Sequence, residues 1–276
     1  MDITFYGVRG STPSPSDDNR RYGGNTSTVV LQHGAEDPIV LDLGTGLRLW
    51  GADIEPGHTL RATALVTHIH WDHIQGLPFF GPIHRRGSEL VIYAPEQEEG
   101  PLAEVFDRFM RPPYFPVQYS QLEGDVRFVA VTDIDLEINS AKVKVRPVPH
   151  VGPTVGYRID WAGSSVAYVS DHQAPLGLDT VADSVLELCD GVDLLIHDAQ
   201  YTPEEFVAKS TWGHCTMEYA LLVARLSGAR RLCLYHHDPS HTDDDLDALH
   251  EDIRAVKGPD GPREIIGAHE GLQIHL

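Results

Sequence analysis

The sequence predicts an α/β (α+β) chain of two packed β-sheets flanked by helices. Strand-like runs, alternating or wholly apolar, recur along the 276 residues and stop at Gly, Pro or Asp, the residues that end strands. Segments with a one-sided apolar stripe at helical spacing lie between some of them. A hydrophobic content of 41% over this length is enough for a sizeable core, and no repeat or low-complexity segment interrupts it.

The strand-like runs lie near residues 2–6, 27–32, 38–42, 62–67, 89–93, 126–131, 143–149, 155–161, 165–169, 193–197, 231–235 and 271–276. The clearest helix begins after Gly213-His214-Cys215-Thr216, with Met217, Ala220, Leu221 and Ala224 on one face and Gly228 as its stop. A second starts at Thr242, where Asp243, Asp244 and Asp245 complement the positive end of the helix; its stripe is Leu246, Leu249, Ile253 and Val256. A third covers about 178–188 and a shorter one about 102–110. Residues 100–125 stand apart, with Phe106, Phe109, Met110, Tyr114, Phe115 and Tyr119 clustered beside Arg108, Arg111 and Pro112-Pro113. The prolines argue against a regular element beyond Met110. Two readings are open: a lid with aromatic faces for a base and arginine for phosphate, or an insertion packed on the core by its aromatics.

A formal charge of −20 argues against broad electrostatic binding of nucleic acid, which needs a basic face to displace counterions. No run of about eighteen apolar residues is present, so no membrane span is expected. Met1-Asp2-Ile3-Thr4-Phe5 has no basic-then-apolar leader. Cys189, Cys215 and Cys233 are scattered and odd in number, which opposes a disulfide framework. A cytoplasmic location is the resulting expectation.

The chemistry is concentrated in Thr67-His68-Ile69-His70-Trp71-Asp72-His73, directly after the apolar run Ala64-Leu65-Val66. Imidazole and carboxylate are the donors that zinc, iron and manganese accept. The spacing supplies two neighbouring ions: His68 and His70 can face one, Asp72 and His73 the other. The plainer alternative is a surface turn that happens to be histidine-rich.

This pattern resembles the metallo-β-lactamase superfamily, in its two-metal hydrolase branch. The resemblance implies a four-layer αββα sandwich formed by a single domain, residues 1–276, with residues 100–125 as an active-site lid or a packed insertion. It implies further ligands at strand ends: His150 after Val143–Pro149, Asp171 after Val166–Ser170, and His236 after Leu232–Tyr235. His68, His70 and His150 would then hold one metal, Asp72, His73 and His236 the other, and Asp171 would bridge them. Asp42 looks like the upstream aspartate that orients the histidine loop, since a ligating imidazole needs an acceptor for its other nitrogen. His237 competes with His236, because alternation along a strand turns only one of them toward the metals. The resemblance favours His236 and leaves His237 solvated or behind the ligands. The expected cofactors are two divalent ions, zinc first, with manganese and iron as alternatives.

The superfamily hosts lactam, thioester, lactone and phosphodiester hydrolysis, so fold alone does not choose. The ligand set lacks a cysteine, a departure from the antibiotic-hydrolysing lactamases. Gly213-His214-Cys215-Thr216 resembles the His-Ser-Thr segment of ribonuclease Z and related phosphodiesterases, with Cys215 in the serine place. This implies that His214 meets the scissile phosphate as proton or hydrogen-bond donor; a histidine near a helix cap is the plainer reading. Gly7–Pro13 and Arg21–Ser27 look like the opening of the same group, where Asn25 and Thr26 can hydrogen-bond the metal-site loop. Asp198 would orient His214, or serve as a buried structural aspartate. The catalytic residues implied are His214 and Asp72, and the substrate contacts Asn25, Arg111, Tyr114 and Phe115. The expected function is a dinuclear-metal phosphodiesterase in which a metal-bridging hydroxide attacks a small phosphodiester such as a cyclic nucleotide. The alternatives are a ribonuclease Z-like RNA 3′-processing endonuclease, a glyoxalase-like thioesterase or lactonase, and a non-catalytic metal- or ligand-binding protein. No glycine- and basic-rich arm for tRNA is evident. The expected partner is therefore a small molecule rather than extended nucleic acid or membrane, and a homodimer is an assembly the resemblance admits.

Overall fold

The computed structural model describes all residues, 1–276. Its strands are β1 (Asp2–Gly7), β2 (Thr28–Gln32), β3 (Ile39–Leu41), β4 (Arg61–Leu65), β5 (Glu89–Pro95), β6 (Asp125–Val131), β7 (Ile134–Ile138), β8 (Ala141–Pro147), β9 (Val155–Trp161), β10 (Ser164–Val169), β11 (Leu194–Asp198), β12 (Arg231–Tyr235), β13 (Glu264–Gly267) and β14 (Gln273–His275). They form two seven-stranded sheets, ordered β14-β1-β2-β3-β4-β5-β6 and β13-β12-β11-β10-β9-β8-β7. Each sheet is antiparallel in one half and parallel in the other: β3 to β6 run parallel in the first, β10 to β13 in the second.

The helices are α1 (Leu47–Asp53), α2 (Trp71–Ile74), α3 (Leu102–Phe109), α4 (Asp183–Cys189), α5 (Pro203–Lys209), α6 (Met217–Ser227) and α7 (Asp243–Ala255). Phe5, Leu31, Val143, Tyr157, Ile196 and Tyr235 fill the space between the sheets. Leu47, Trp50, Phe80, Phe106 and Met110 cover the outer face of the first sheet, and Leu188, Ala220, Leu221, Leu246 and Ile253 that of the second. The result is a four-layer αββα sandwich. No helix is long and apolar enough to cross a membrane.

Helix ends follow local chemistry. The Thr216 side chain accepts from the backbone N–H of Tyr219, and Gly228 ends α6 in the left-handed region at φ 65°. Thr242 and Asp245 cap α7 reciprocally. Several expectations need correction. The helix expected over 178–188 starts only at Asp183, because a turn over 176–178 after Pro175 and an irregular stretch over 179–182 precede it. Val256 leaves the α7 stripe and is exposed, lying past the last turn. β7, β13, α1, α2 and α5 have no counterpart among the expected elements. β7 and β13 are sheet edges, half covered, so their apolar pattern is weak.

Residues 100–125 pack on the core through one side only. Phe106 is fully buried between Phe109 and Phe128, with ring centroids 5.5 and 4.7 Å away. Phe106→Ala is expected to cost about 3–5 kcal/mol, the range for emptying a buried aromatic site, measurable by denaturant unfolding.

Candidate metal centre

Strand ends from both sheets bring the expected ligands to one edge. β3 ends before Asp42, β4 before the 67–73 loop, β8 before His150, β10 before Asp171 and β12 before His236. Ligands of open α/β sheets collect outside such carboxyl ends, where several strand ends and their loops converge. The backbone there is held out of ordinary conformations: Ser11, Asp42 and His236 all have φ of 58–59°. Non-glycine residues in that region cost energy and cluster where geometry is imposed by function.

His68, His70 and His150 form one group of converging donor atoms, and Asp72, His73 and His236 a second, each within 4.8 Å. Asp171 lies between them. Its Oδ2 is 3.7 Å from His68 Nε2 and 3.8 Å from His150 Nε2. Its Oδ1 is 3.2 Å from His73 Nε2 and 3.4 Å from His236 Nε2. Asp72 Oδ2 sits 3.2 Å from both His73 Nε2 and His236 Nε2.

Four of the five imidazoles have the outward nitrogen engaged, which turns the other nitrogen toward the centre. His73 Nδ1 donates to Asp42 Oδ2 at 2.8 Å, His150 Nδ1 to the Gly213 carbonyl at 2.7 Å, and His236 Nδ1 to Gln200 Oε1 at 2.9 Å. His68 Nδ1 meets Thr67 Oγ1 at 3.0 Å, and that hydroxyl donates on to Asp42. Tyr168 Oη also donates to Asp42, at 2.8 Å. The inward nitrogens face one another: His70 Nδ1 and His150 Nε2 are 3.2 Å apart, as are His73 Nε2 and His236 Nε2. His68 Nε2 is buried with no partner at all. Two imidazole nitrogens so close repel unless a proton or a metal cation joins them.

The electrostatics agree. Burial pushes the His68, His70 and His150 pKa values down, the last to about 4, so these groups are in the neutral form that ligates metal. Burial opposes ionisation of Asp72 and Asp171, but the surrounding imidazoles outweigh it and hold both well below the ordinary carboxylate range. Burial likewise pushes His73 down, yet the carboxylates of Asp72, Asp171 and Asp42 overcome it and raise its pKa well above the usual value. The site is short of positive charge, and its donor set suits two divalent ions.

His214 stands beside this centre, two residues before Thr216, the α6 cap. Its Nδ1 donates to Asp198 Oδ2 at 3.0 Å, and its ring lies 5.0 Å from that of His236. Burial lowers its pKa, but the Asp198 carboxylate prevails and the net shift is upward. Asp198, at the end of β11, also accepts from the His172 and Gln200 backbone N–H groups.

Other expected residues fall elsewhere. His237 is neither solvated nor behind the ligands: it is fully buried, its Nε2 donates to the Ala268 carbonyl at 2.9 Å, and its ring meets Tyr22 and His250. Asn25 gives its backbone N–H and side-chain Nδ2 to Glu270 rather than to the metal-site loop, so its side chain is structural. Thr26 does not bond that loop either: it exchanges hydrogen bonds with Thr45, in the turn that follows Asp42. Arg111 pairs with Asp107 at 3.6 Å in a depression with Glu104 and Tyr119, and Arg108 instead borders the groove that contains Tyr114 and Phe115.

Sequence reasoning missed Gln200, Gly213, Gly10 and the Ser11 backbone N–H. Ser11 N donates to Asp72 Oδ2 at 2.8 Å, and Gln200 Nε2 donates to Ser11 Oγ at 3.2 Å. A Cβ on Gly10 would lie 2.5 Å from the His236 ring. Gly213 has φ 99°, and a Cβ there would lie 2.2 Å from His150 Cε1. The glycines at 10 and 213 were the available signal, since glycine marks close backbone approach. Gly213→Ala is expected to displace His150, lower the metal content found by elemental analysis, and destabilise by about 1–3 kcal/mol from backbone strain.

Comparison with known proteins accords with this geometry. A family model described as a beta-lactamase superfamily domain matches residues 39–237. The ribonuclease Z of Metallosphaera sedula is 25% identical over 88% of this chain and 90% of its own length. The metallo-beta-lactamase fold protein YhfI from Bacillus subtilis superposes with a TM-score of 0.71 at 19% identity, covering 99% of this chain and 98% of its own. Human tRNase Z, short form, gives 0.69 at 22%, covering 100% and 99%. With its matching domain model, its sandwich and its two donor groups, the chain belongs to the metallo-β-lactamase superfamily, as a metal-dependent hydrolase of the branch that resembles ribonuclease Z and the phosphodiesterases.

Proposed function

We propose that the protein is a dinuclear-metal phosphodiesterase acting on a small phosphodiester such as a cyclic nucleotide. The observation that carries this reading is the His214–Asp198 pair set against the metal centre. A thioester or lactone can be opened by the metal ligands alone; a phosphodiester with a poor alkoxide leaving group gains most from a positioned proton donor. His68, His70 and His150 would hold one ion, Asp72, His73 and His236 the other, with Asp171 shared. When bound, the ions supply Lewis acidity at the phosphoryl oxygens and a nucleophile from water at neutral pH, with zinc the first candidate.

The chain's own groups do the rest. Asp42 and Gln200 fix the ring orientation and tautomer of His73 and His236. The Ser11 N–H holds Asp72 in place. Asp198 keeps the proton of His214 on Nδ1 and favours the imidazolium, which can release a proton from Nε2 to the departing oxygen.

A ribonuclease Z-like endonuclease is the second reading, favoured by the name shared by the curated relatives that match over most of their length. The charge of −20 weighs against a long polyanion. A panel of the metal-loaded protein tests both: bis-p-nitrophenyl phosphate, cyclic nucleotides, a tRNA precursor, S-lactoylglutathione and a homoserine lactone. Turnover of the phosphodiesters, with cyclic nucleotides preferred to the tRNA precursor, is the expected result. Turnover of the thioester or lactone with no phosphodiester activity overturns the reading.

A further inference from the structure

Exposed aromatic side chains gather beside the segment that carries His70 and Asp72. Trp71 sits between His70 and Asp72 at the start of α2 and is 56% exposed; Phe79 is 62% and Tyr114 79% exposed. With Phe109, Phe115 and Arg108 they border a groove of about 510 Å³. That volume is within the range of small-ligand sites. Two edge-on contacts set the rings: Trp71 on Phe109, at 5.4 Å and 85°, and Phe79 on Phe115, at 5.7 Å and 84°. A ring held by the edge of its neighbour keeps a face available to a planar guest. Apolar surface gathered in this way is costly in water unless something covers it.

We infer that this groove is the subsite for the nucleobase of a nucleotide substrate, with Trp71, Phe79 and Phe115 as the residues that select a nucleoside-bearing phosphodiester over a simple one; the inference rests on the phosphodiesterase reading. Continuity with the centre argues for this occupant. Trp71 is bonded in sequence to His70 and Asp72, one from each donor group, so the groove starts at the segment that carries the centre. The Arg108 guanidinium at the rim gives one N–H to the Glu99 carbonyl and makes no ion pair, so its remaining donors and its planar face suit an anionic ligand or a stacked base. An apolar partner protein would need no such cation.

The test uses two substrates with one leaving group, methyl p-nitrophenyl phosphate and thymidine 5′-p-nitrophenyl phosphate, on the metal-loaded protein. Wild type is expected to prefer the thymidine ester in kcat/KM by roughly tenfold or more, the range that base–aromatic stacking supplies. Phe79→Ala and Phe115→Ala are expected to reduce that preference toward unity through KM. A second readout needs no turnover: thymidine monophosphate should quench tryptophan fluorescence in wild type and lose most of that quenching in Trp71→Phe. Equal kcat/KM for both esters in wild type and variants overturns the subsite and leaves the phosphodiesterase reading standing. Quenching by the nucleotide with neither ester cleaved supports the subsite and overturns the phosphodiesterase reading. A fall in sedimentation coefficient in Phe79→Ala, with no change in ester preference, makes the groove a contact between copies of this chain and overturns the proposal.

Discussion

Asp171→Ala is expected to strip the centre of metal and to lower phosphodiesterase activity by more than about a hundredfold, beyond what is lost when a group that merely orients a ligand is removed. The reason is geometric. Its two oxygens divide between the donor groups, Oδ2 toward His68 and His150 and Oδ1 toward His73 and His236. Removing it also takes away one of the three carboxylates that raise the pKa of His73. Asp72→Ala should also lose metal, chiefly from the His73–His236 side, because Asp72 approaches only that group. Asp42→Asn should instead keep the ions more weakly, by about 10–100-fold in affinity, since Asp42 acts through His73 and Thr67. Elemental analysis of the purified variants and activity on bis-p-nitrophenyl phosphate check all three. Unchanged metal stoichiometry in Asp171→Ala would contradict the shared-ligand assignment.

The contrast between those variants also shows what a linear sequence discloses. Asp42, Asp171 and His236 are legible because each follows an apolar run, and a strand end is where a buried side chain can meet others without breaking the sheet. The αββα layering is legible for the same reason: strands covered on both faces read as continuous apolar runs, as in β11 and β12. The edge strand β7 carries acidic residues on its open face and gives no such signal. Gln200 and the Gly213 carbonyl were illegible as imidazole acceptors, because a backbone oxygen has no residue type and Gln200 is one polar residue among many. The choice between Arg108 and Arg111 turns on helix phase. α3 stops at Phe109, so Arg111 lies past its end and folds back on Asp107, while Arg108 stays on the last turn at the groove. Pro112 and Pro113 do mark where that helix stops, but not which arginine then faces the groove. His237 misled in the opposite sense: alternation correctly turns it away from the metals, but away from them lies a buried pocket with Tyr22 and His250, not solvent.

His214→Ala is expected to retain both metals and to lose about 10²-fold or more in kcat on a cyclic nucleotide, within the range of a positioned general acid. Retention matters because Asp171, His214 and His236 also converge as donors; loss of metal in this variant would make His214 a ligand and end its assignment as proton donor. Two further measurements separate proton donation from simple charge stabilisation. With p-nitrophenolate as leaving group, little protonation is needed at departure, so the loss on bis-p-nitrophenyl phosphate should be much smaller than on an alkoxide-releasing substrate. An equal loss on both substrates would point to His214 holding a phosphoryl oxygen instead. Asp198→Asn should reproduce most of the defect, because the amide no longer stabilises the imidazolium or fixes its Nδ1 proton. If the two residues act as one unit, the double variant should be no worse than His214→Ala alone; a multiplicative loss would mean that Asp198 serves the site through the His172 and Gln200 backbone contacts rather than through His214.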